Sequence, residues 1–359
     1  MADRMRRTLP KVALTLGDVA GIGPEVAVRS CLNDRVRNAC RPVIVGHPDI
    51  VRRAIDFSRA KIDVLELQSP ADEASSDQIA CWNPATAPAD VVDVVPGVND
   101  ARAGRAAYEY LVAAARLALD KQFDAITTAP LSKAALHLGG HRFPGHTEIL
   151  ASVCGVRDFG MMLFLPHGSA VKSPSGLGVV HVTLHTSIRS VPELISTARV
   201  IEKIELINQF MRQVGCWNPR VAVCALNPHA GEDGLFGDEE SRLILPAVRA
   251  VQGRGFPNVT GPLPADTLFR RAAAGEFDAV VAMYHDQGHI AFKLIGFQTA
   301  VNVTLGLPIV RTSPSHGTAF DIAWKKTADA SGMIEAILVA AQLCSPYRDR
   351  QEAARAATP

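Results

Sequence analysis

The feature that most constrains this chain is an alternation of two kinds of segment. Short runs of β-branched and small apolar residues read as strands: Val12–Leu16, Pro42–Val45, Ala125–Thr128, Val179–Val182, Val221–Cys224, Ala279–Ala282 and Ala300–Val303. Longer amphipathic runs rich in Ala and Leu read as helices: Pro24–Cys31, Ala101–Leu119, Glu193–Val214, Glu239–Gln252, Leu268–Ala274 and Met333–Leu343. Strand–helix alternation implies α/β layers on a mostly parallel sheet. Single cores stop growing near roughly 250–300 residues, so 359 residues, 48% of them hydrophobic, predict two domains or one large one. No fixed-period repeat is present. Gln68–Asp90, rich in Ser, Ala, Asp and Pro, and Pro166–Gly178, with its prolines and glycines, read as surface loops.

Composition removes several classes of function. A net charge of +1 offers no basic excess for nucleic acid or an anionic membrane. The seven cysteines are scattered without a C-x-x-C, which argues against a disulfide framework or a thiolate zinc site. The basic start (Arg4, Arg6, Arg7) is followed by an apolar run too short for a signal peptide. No stretch approaches the roughly 20 apolar residues of a membrane span. The expectation is a reduced, soluble, cytoplasmic protein.

Four segments could carry chemistry. Gly17-Asp18-Val19-Ala20-Gly21-Ile22-Gly23-Pro24-Glu25 follows a strand and opens a helix, so its N–H groups could bind an anion. A plain strand-to-helix turn explains it equally, and the dinucleotide fingerprint G-x-G-x-x-G fails at Val26. His185, His229 and His285 each follow a strand, where open α/β sheets bind ligands. Three imidazoles can hold a divalent ion and leave a position open, although each singly fits a hydrogen-bonded structural role. His146, Thr147, Lys293, Asn302 and Arg311 form a polar and cationic set suited to phosphate or carboxylate, with Arg311 after an apolar run. A surface cation explains Lys293 as well. In His316-Gly317-Thr318-Ala319-Phe320-Asp321-Ile322-Ala323 small residues allow close approach to a ligand, and a capped helix start explains it equally well.

At these residues the chain resembles the 4-hydroxythreonine-4-phosphate dehydrogenase family of pyridoxal phosphate (pyridoxine) biosynthesis. The resemblance runs from Thr15 to about Leu343 and is carried by Gly17–Glu25, Thr128–Lys133, Phe143–Glu148, Asn227–Glu232, Gly261–Thr267, Ala282–Gly288, Val301–Pro308 and His316–Ala319. Val19 stands where the family has proline, Ser132 where asparagine is common, and Pro166–Gly178 is longer than usual. The resemblance implies an α/β fold of two domains around a central cleft, as in isocitrate and isopropylmalate dehydrogenases. The expected division is residues 1–135 with 300–359 on the nucleotide side, and 136–299 for metal, substrate and dimerisation. It further implies a homodimer with its active site at the interface.

The same resemblance assigns roles. His185, His229 and His285 would bind a divalent metal: zinc, or alternatively magnesium, cobalt or manganese. His146, Thr147, Lys293, Asn302 and Arg311 would bind substrate. His316, Gly317, Thr318, Ala319 and Asp321 would lie on NAD or NADP, and Lys293 and Asp266 would move protons. The implied reaction is oxidation of 4-hydroxythreonine 4-phosphate at C3 to a β-keto acid, which decarboxylates to 3-amino-2-oxopropyl phosphate. One alternative within the family is oxidative decarboxylation of D-threonate or erythronate 4-phosphate to dihydroxyacetone phosphate. Gly234–Glu240, His285–Ile290 and Phe320–Trp324 look closer to that branch. A phosphotransacetylase-like acyltransferase is the alternative of another class, but it would need no metal histidines.

Overall fold

A computed structural model describes residues 9–70, 72, 77–157 and 159–356, with residues 345–356 by backbone alone. The basic start with Arg4, Arg6 and Arg7 lies outside the described residues. The chain divides into two compact units, Met1–Phe159 with Gly306–Pro359 and Gly160–Leu305. The expected division ran through 135/136 and 299/300. Helix His146–Cys154 packs on helix Ala101–Leu119 and so belongs to the first unit.

The first unit carries β1 (Lys11–Thr15), β2 (Arg41–Val45), β3 (Asp63–Glu66), β4 (Gln78–Trp82), β5 (Ala125–Thr128) and β12 (Val310–Pro314). Their order is β3-β4-β2-β1-β5-β12, and the pairs are parallel. The middle strands are buried along nearly their whole length, as expected where helices cover both faces of a parallel sheet. Asp100 caps helix Ala101–Leu119 by accepting from Arg102 N–H. That helix buries Ala103, Ala106, Ala107, Tyr110, Leu111 and Ala114, a helical stripe. Gly104 lies so close to helix Lys133–Leu138 that an added Cβ would stand 1.9 Å from Ala135 O.

The second unit carries β6 (Gly160–Leu165), β7 (Leu177–His181), β8 (Val221–Cys224), β9 (Val259–Leu263), β10 (Ala279–Ala282) and β11 (Val301–Leu305). Their order is β11-β6-β7-β10-β8-β9. The pairs β11–β6 and β6–β7 are antiparallel, and β7, β10, β8 and β9 run parallel. This unit has a core of its own around Leu163, Val179, Leu268, Val280 and Phe292.

Three expectations are corrected. Gln68–Asp90 is not all loop: it holds β4, whose Ile79, Ala80 and Cys81 are buried. Glu193–Val214 is broken by Ser196, which caps a fresh helix, Thr197–Gln213, by accepting from Arg199 N–H. Glu239–Gln252 opens as a π turn, Glu240–Ile244, before the α-helix Leu245–Gly253. Among the described residues no helix is long and apolar enough to cross a membrane.

Candidate active site

In the second unit β7, β10 and β8 are neighbours, and His185, His285 and His229 follow their carboxyl ends. Ligands of open α/β sheets bind at that edge. His185 and His285 come together, with ring centroids 5.8 Å apart. They line a cleft of ≈ 440 Å³ with Thr186, Tyr284 and Asp286. His285 opens helix His285–Gly296, and its Nδ1–H donates to Asp286 Oδ1 at 2.7 Å. That bond leaves Nε2 as the nitrogen available to a ligand, the tautomer usual where a carboxylate backs a histidine.

Two further histidines complete the group. His289, one turn after His285, stacks on it with centroids 3.7 Å apart and planes 10° apart. A hydrogen bond of 3.2 Å joins His289 Nδ1 to His181 Nε2. Burial first, then the charges of His285 and Lys293, push the pKa of His289 down to about 4. Burial likewise holds His181 well below the ordinary imidazole range. Both are neutral rings at physiological pH. The sequence reading missed both. The spacing of four residues from His285 on a helix was the available signal for His289, whereas nothing local marks His181.

His229 stands elsewhere. It begins a left-handed turn in which His229, Ala230, Gly231, Glu232 and Asp233 all have positive φ, between 46° and 83°. Such geometry costs roughly 1–2 kcal/mol per non-glycine residue. Its Nδ1–H donates to Glu232 Oε2 at 2.9 Å, again leaving Nε2, and the ring meets Phe236 edge-on at 6.2 Å. Among the described residues no group of three or more His, Cys, Asp or Glu side chains is arranged to hold a metal. One chain thus brings His185 and His285 together and does not bring His229 to them. The donor chemistry nevertheless suits a divalent ion, because His229 and His285 each have a carboxylate on Nδ1 and Nε2 left over.

Lys293 is exposed on helix His285–Gly296, with Nζ 6.0 Å from the Phe297 ring centroid. Asn302 lies on β11 with its Oδ1 buried and unbonded among the described residues. Asp266 is exposed in the first turn of helix Ala265–Ala273.

The first unit brings His146, Thr147 and Arg311 together at a helix start. His146 and Thr147 open helix His146–Cys154, whose N-cap Gly145 supplies no side-chain cap. First-turn N–H groups not capped by Gly145 favour an anion, and Glu148 already places a carboxylate in that turn. Arg311, in β12, is 2% exposed and donates to Thr128 Oγ1 at 2.7 Å. His146 Nε2 meets Ala129 O at 3.1 Å. Burial first and the Arg311 charge second push the His146 pKa down to about 3. Burial lowers Arg311 to about 10, leaving it a cation at neutral pH. The charge of Glu148, in the first turn of helix His146–Cys154, acts to raise the Arg311 pKa.

The Gly17–Glu25 and His316–Ala323 segments pack together in the same unit, where Ile22 N–H donates to Thr318 O at 3.0 Å. A Cβ at Gly21 would stand 2.8 Å from Thr318 O, so this glycine serves loop-on-loop packing. His316 Nδ1 meets Gly317 O at 3.1 Å, and its buried Nε2 has no partner among the described residues. Gly317 and Asp321 are exposed, and Ala319 has a φ of 46°. Asp18 is fully buried, accepts from Ala20 N–H at 2.9 Å, and is pushed up to about 6 by burial.

Comparison with known proteins shows the family. Residues 38–340 match the family described as pyridoxal phosphate biosynthetic protein PdxA. The chain is 44% identical to a D-threonate 4-phosphate dehydrogenase of Cupriavidus necator, over 94% of this chain and 98% of that one. It is 42% identical to a 4-hydroxythreonine-4-phosphate dehydrogenase of Geobacter metallireducens, over 94% and 97%. A crystal structure of a 4-hydroxythreonine-4-phosphate dehydrogenase from Burkholderia phymatum is 44% identical, covering 94% and 99%, with a TM-score of 0.78.

Proposed function

Because this chain belongs to the PdxA family of pyridoxal phosphate biosynthetic proteins, we propose that it oxidises 4-hydroxythreonine 4-phosphate at C3 with NAD or NADP. The β-keto acid formed loses its carboxylate to give 3-amino-2-oxopropyl phosphate. The observation that supports this reading is the buried Arg311 beside His146 at a helix start without a side-chain cap, a setting that suits a phosphate.

Arg311, His146 and Thr147 hold the phosphate, and binding energy from that remote group orients the reacting carbon. Lys293 and Asn302 bind the remaining polar groups of the acid. Lys293 and Asp266 exchange protons with the substrate hydroxyl and the decarboxylated product. His185, His229 and His285 hold a divalent ion, for which nitrogen donors favour zinc. Bound there, such an ion supplies Lewis-acid stabilisation of the oxygen that develops charge. The nicotinamide cofactor lies on His316, Gly317, Thr318, Ala319 and Asp321, where the enclosed, unbonded Nε2 of His316 gives a cofactor group a partner.

The working enzyme is a homodimer whose metal site is completed across the interface. Two observations support this. His229 stands apart from the His185–His285 pair within one chain. Apolar residues are also exposed beside both ligand groups: Leu235 (73%) and Phe236 (47%) near His229, and Ile290 (57%) and Leu294 (83%) on the His285 helix.

D-Threonate 4-phosphate is the second reading, favoured by the 44% identity to the Cupriavidus necator enzyme. The two substrates share C3 and the phosphate and differ at C2, amino against hydroxyl. The test is kcat/KM on both phosphorylated acids with each nucleotide and a divalent ion, read at 340 nm with carbon dioxide release. Turnover of at least one is expected. Oxidation of an unphosphorylated diol in place of both would overturn the proposal.

A further inference from the structure

Glu240 stands in the opening π turn after β8 and is only 6% exposed. Its Oε1 accepts from Leu226 N–H at 2.8 Å and from Asn227 N–H at 2.7 Å. Its Oε2 accepts from the Asn227 side-chain amide at 3.0 Å, which also donates to Glu239 Oε2 at 2.7 Å. Leu226 and Asn227 lead directly into the left-handed turn that begins at His229. On the far side of the turn, a Cβ at Gly231 would stand 2.9 Å from Glu240 Oε2. One carboxyl group therefore touches the turn on both sides of His229.

The turn itself is uphill for the backbone. His229, Ala230, Glu232 and Asp233 sit at positive φ, where an L side chain crowds its own carbonyl. Backbone held in such a region persists only when its surroundings over-determine it. π turns are often found at functional sites for a related reason: they redirect one side chain out of a helical register. Glu240 is the first residue of such a turn.

We propose that Glu240 is a positioning residue that holds the His229 turn in its left-handed form and so presents the His229 imidazole to a divalent ion. The inference rests on the reading of His229 as a metal ligand. It adds a residue that touches neither ion nor substrate and acts through the turn.

The test combines hydrogen exchange with cobalt titration of the metal-stripped protein. Glu240→Ala should speed exchange at the Leu226 and Asn227 amides and across 229–235 by about 10-fold or more, while β10 stays protected. It should weaken cobalt binding by about 10- to 100-fold, the usual effect of losing an outer partner of a metal ligand. Glu240→Gln keeps an acceptor for the two backbone amides but turns an NH2 towards the Asn227 amide donor, so its loss should be smaller than that of Glu240→Ala. Ala230→Gly in the Glu240→Ala background should recover part of the affinity, because glycine adopts the left-handed region without a steric penalty. If Glu240→Ala fails to fold, Glu240→Asp, too short to reach both amides, carries the test with the same expected direction. Unchanged exchange and unchanged cobalt affinity in the folded variant would overturn the proposal. His229→Ala separates the two claims. If it loses cobalt while the Glu240 variants do not, Glu240 has no such role; if it keeps full cobalt affinity, the ligand reading itself fails.

Discussion

Burial lowers the pKa of both His146 and Arg311, to about 3 and about 10, yet leaves them in different states near neutrality. The imidazole is neutral and the guanidinium charged, so Arg311 supplies the positive charge of the proposed phosphate site. Losing a hydrogen bond to a charged group costs about 1.5–3 kcal/mol. At ~1.4 kcal/mol per decade, Arg311→Ala should lower kcat/KM for the phosphorylated acid by about 10- to 150-fold. Arg311→Lys should also lose activity, since lysine lacks the planar donor fork. An unchanged kcat/KM in either variant with a native circular dichroism spectrum would remove Arg311 from the site. His146 makes a second prediction. Its folded pKa is depressed, so the unfolded chain takes up a proton below roughly 6.5 while the native protein resists until about 3. Its contribution is intact above pH 6.5 and is lost as pH falls from 6.5 towards 3. Urea midpoints at pH 7, 5 and 4 should therefore fall less steeply in His146→Asn than in wild type. The family resemblance named both residues, but their protonation could not be read from the sequence. It depends on which elements cover them.

At the scale of the element, Asp278 shows how the strands that lead to His229 and His285 are tied together at their amino ends. It precedes β10 and accepts from Arg220 N–H (2.9 Å), Arg220 Nε (3.0 Å), Arg220 Nη2 (2.8 Å) and Ser173 Oγ (2.6 Å). These bonds tie the starts of β8 and β10 to the Pro166–Gly178 loop. Burial works to raise the Asp278 pKa, but the hydrogen bonds from Arg220 and Ser173 outweigh it and hold it below the ordinary carboxylate range. A depressed pKa contributes stability that is present above roughly pH 3.9 and lost as pH falls further. Asp278→Ala should cost about 2 kcal/mol at pH 7, discounted because Arg220 is half-exposed, and the gap from wild type should be smaller at about pH 3. Denaturant titrations at the two pH values check this, and an equal gap at both would refute the linkage. Several elements were legible because their apolar period is local: Ala101–Leu119, Ala125–Thr128, Val221–Cys224 and Ala279–Ala282 stand where the sequence places them. Helix His285–Gly296 was not legible, because His, Asp, Gln and Gly fill its first turn and interrupt the apolar period. Strand β4 was hidden by the Ser, Asp and Pro residues around it.

For the whole molecule, the exposed apolar positions Ile290, Leu294 and Phe297 lie on or just after the helix that carries His285, at spacings of four and three residues. That spacing gathers them on one helical face, and contiguous exposed apolar surface marks association sites. Leu294→Asp places a charge on that face while leaving every proposed ligand in place. Sedimentation should give a dimer for wild type and a monomer for the variant, with activity and cobalt affinity falling together. A fully active monomer at assay concentration would exclude a site shared between subunits.

The α/β alternation, strands β1, β2, β5, β7, β8, β10 and β11, and the placing of His185, His229 and His285 after strands were legible in the sequence alone. Each is encoded by residues within a few positions of one another. What the histidines do collectively was decided by tertiary structure. His181 meets His289 across 108 residues, and Arg311 meets Thr128 across 183. Such pairs leave no trace in local spacing, because sheet order sets their distance and the covering helices set their burial. For the same reason His229 stands apart from His185 and His285, and Glu240 holds a turn it follows by several residues: both depend on how β8 and its neighbours pack, not on any local pattern.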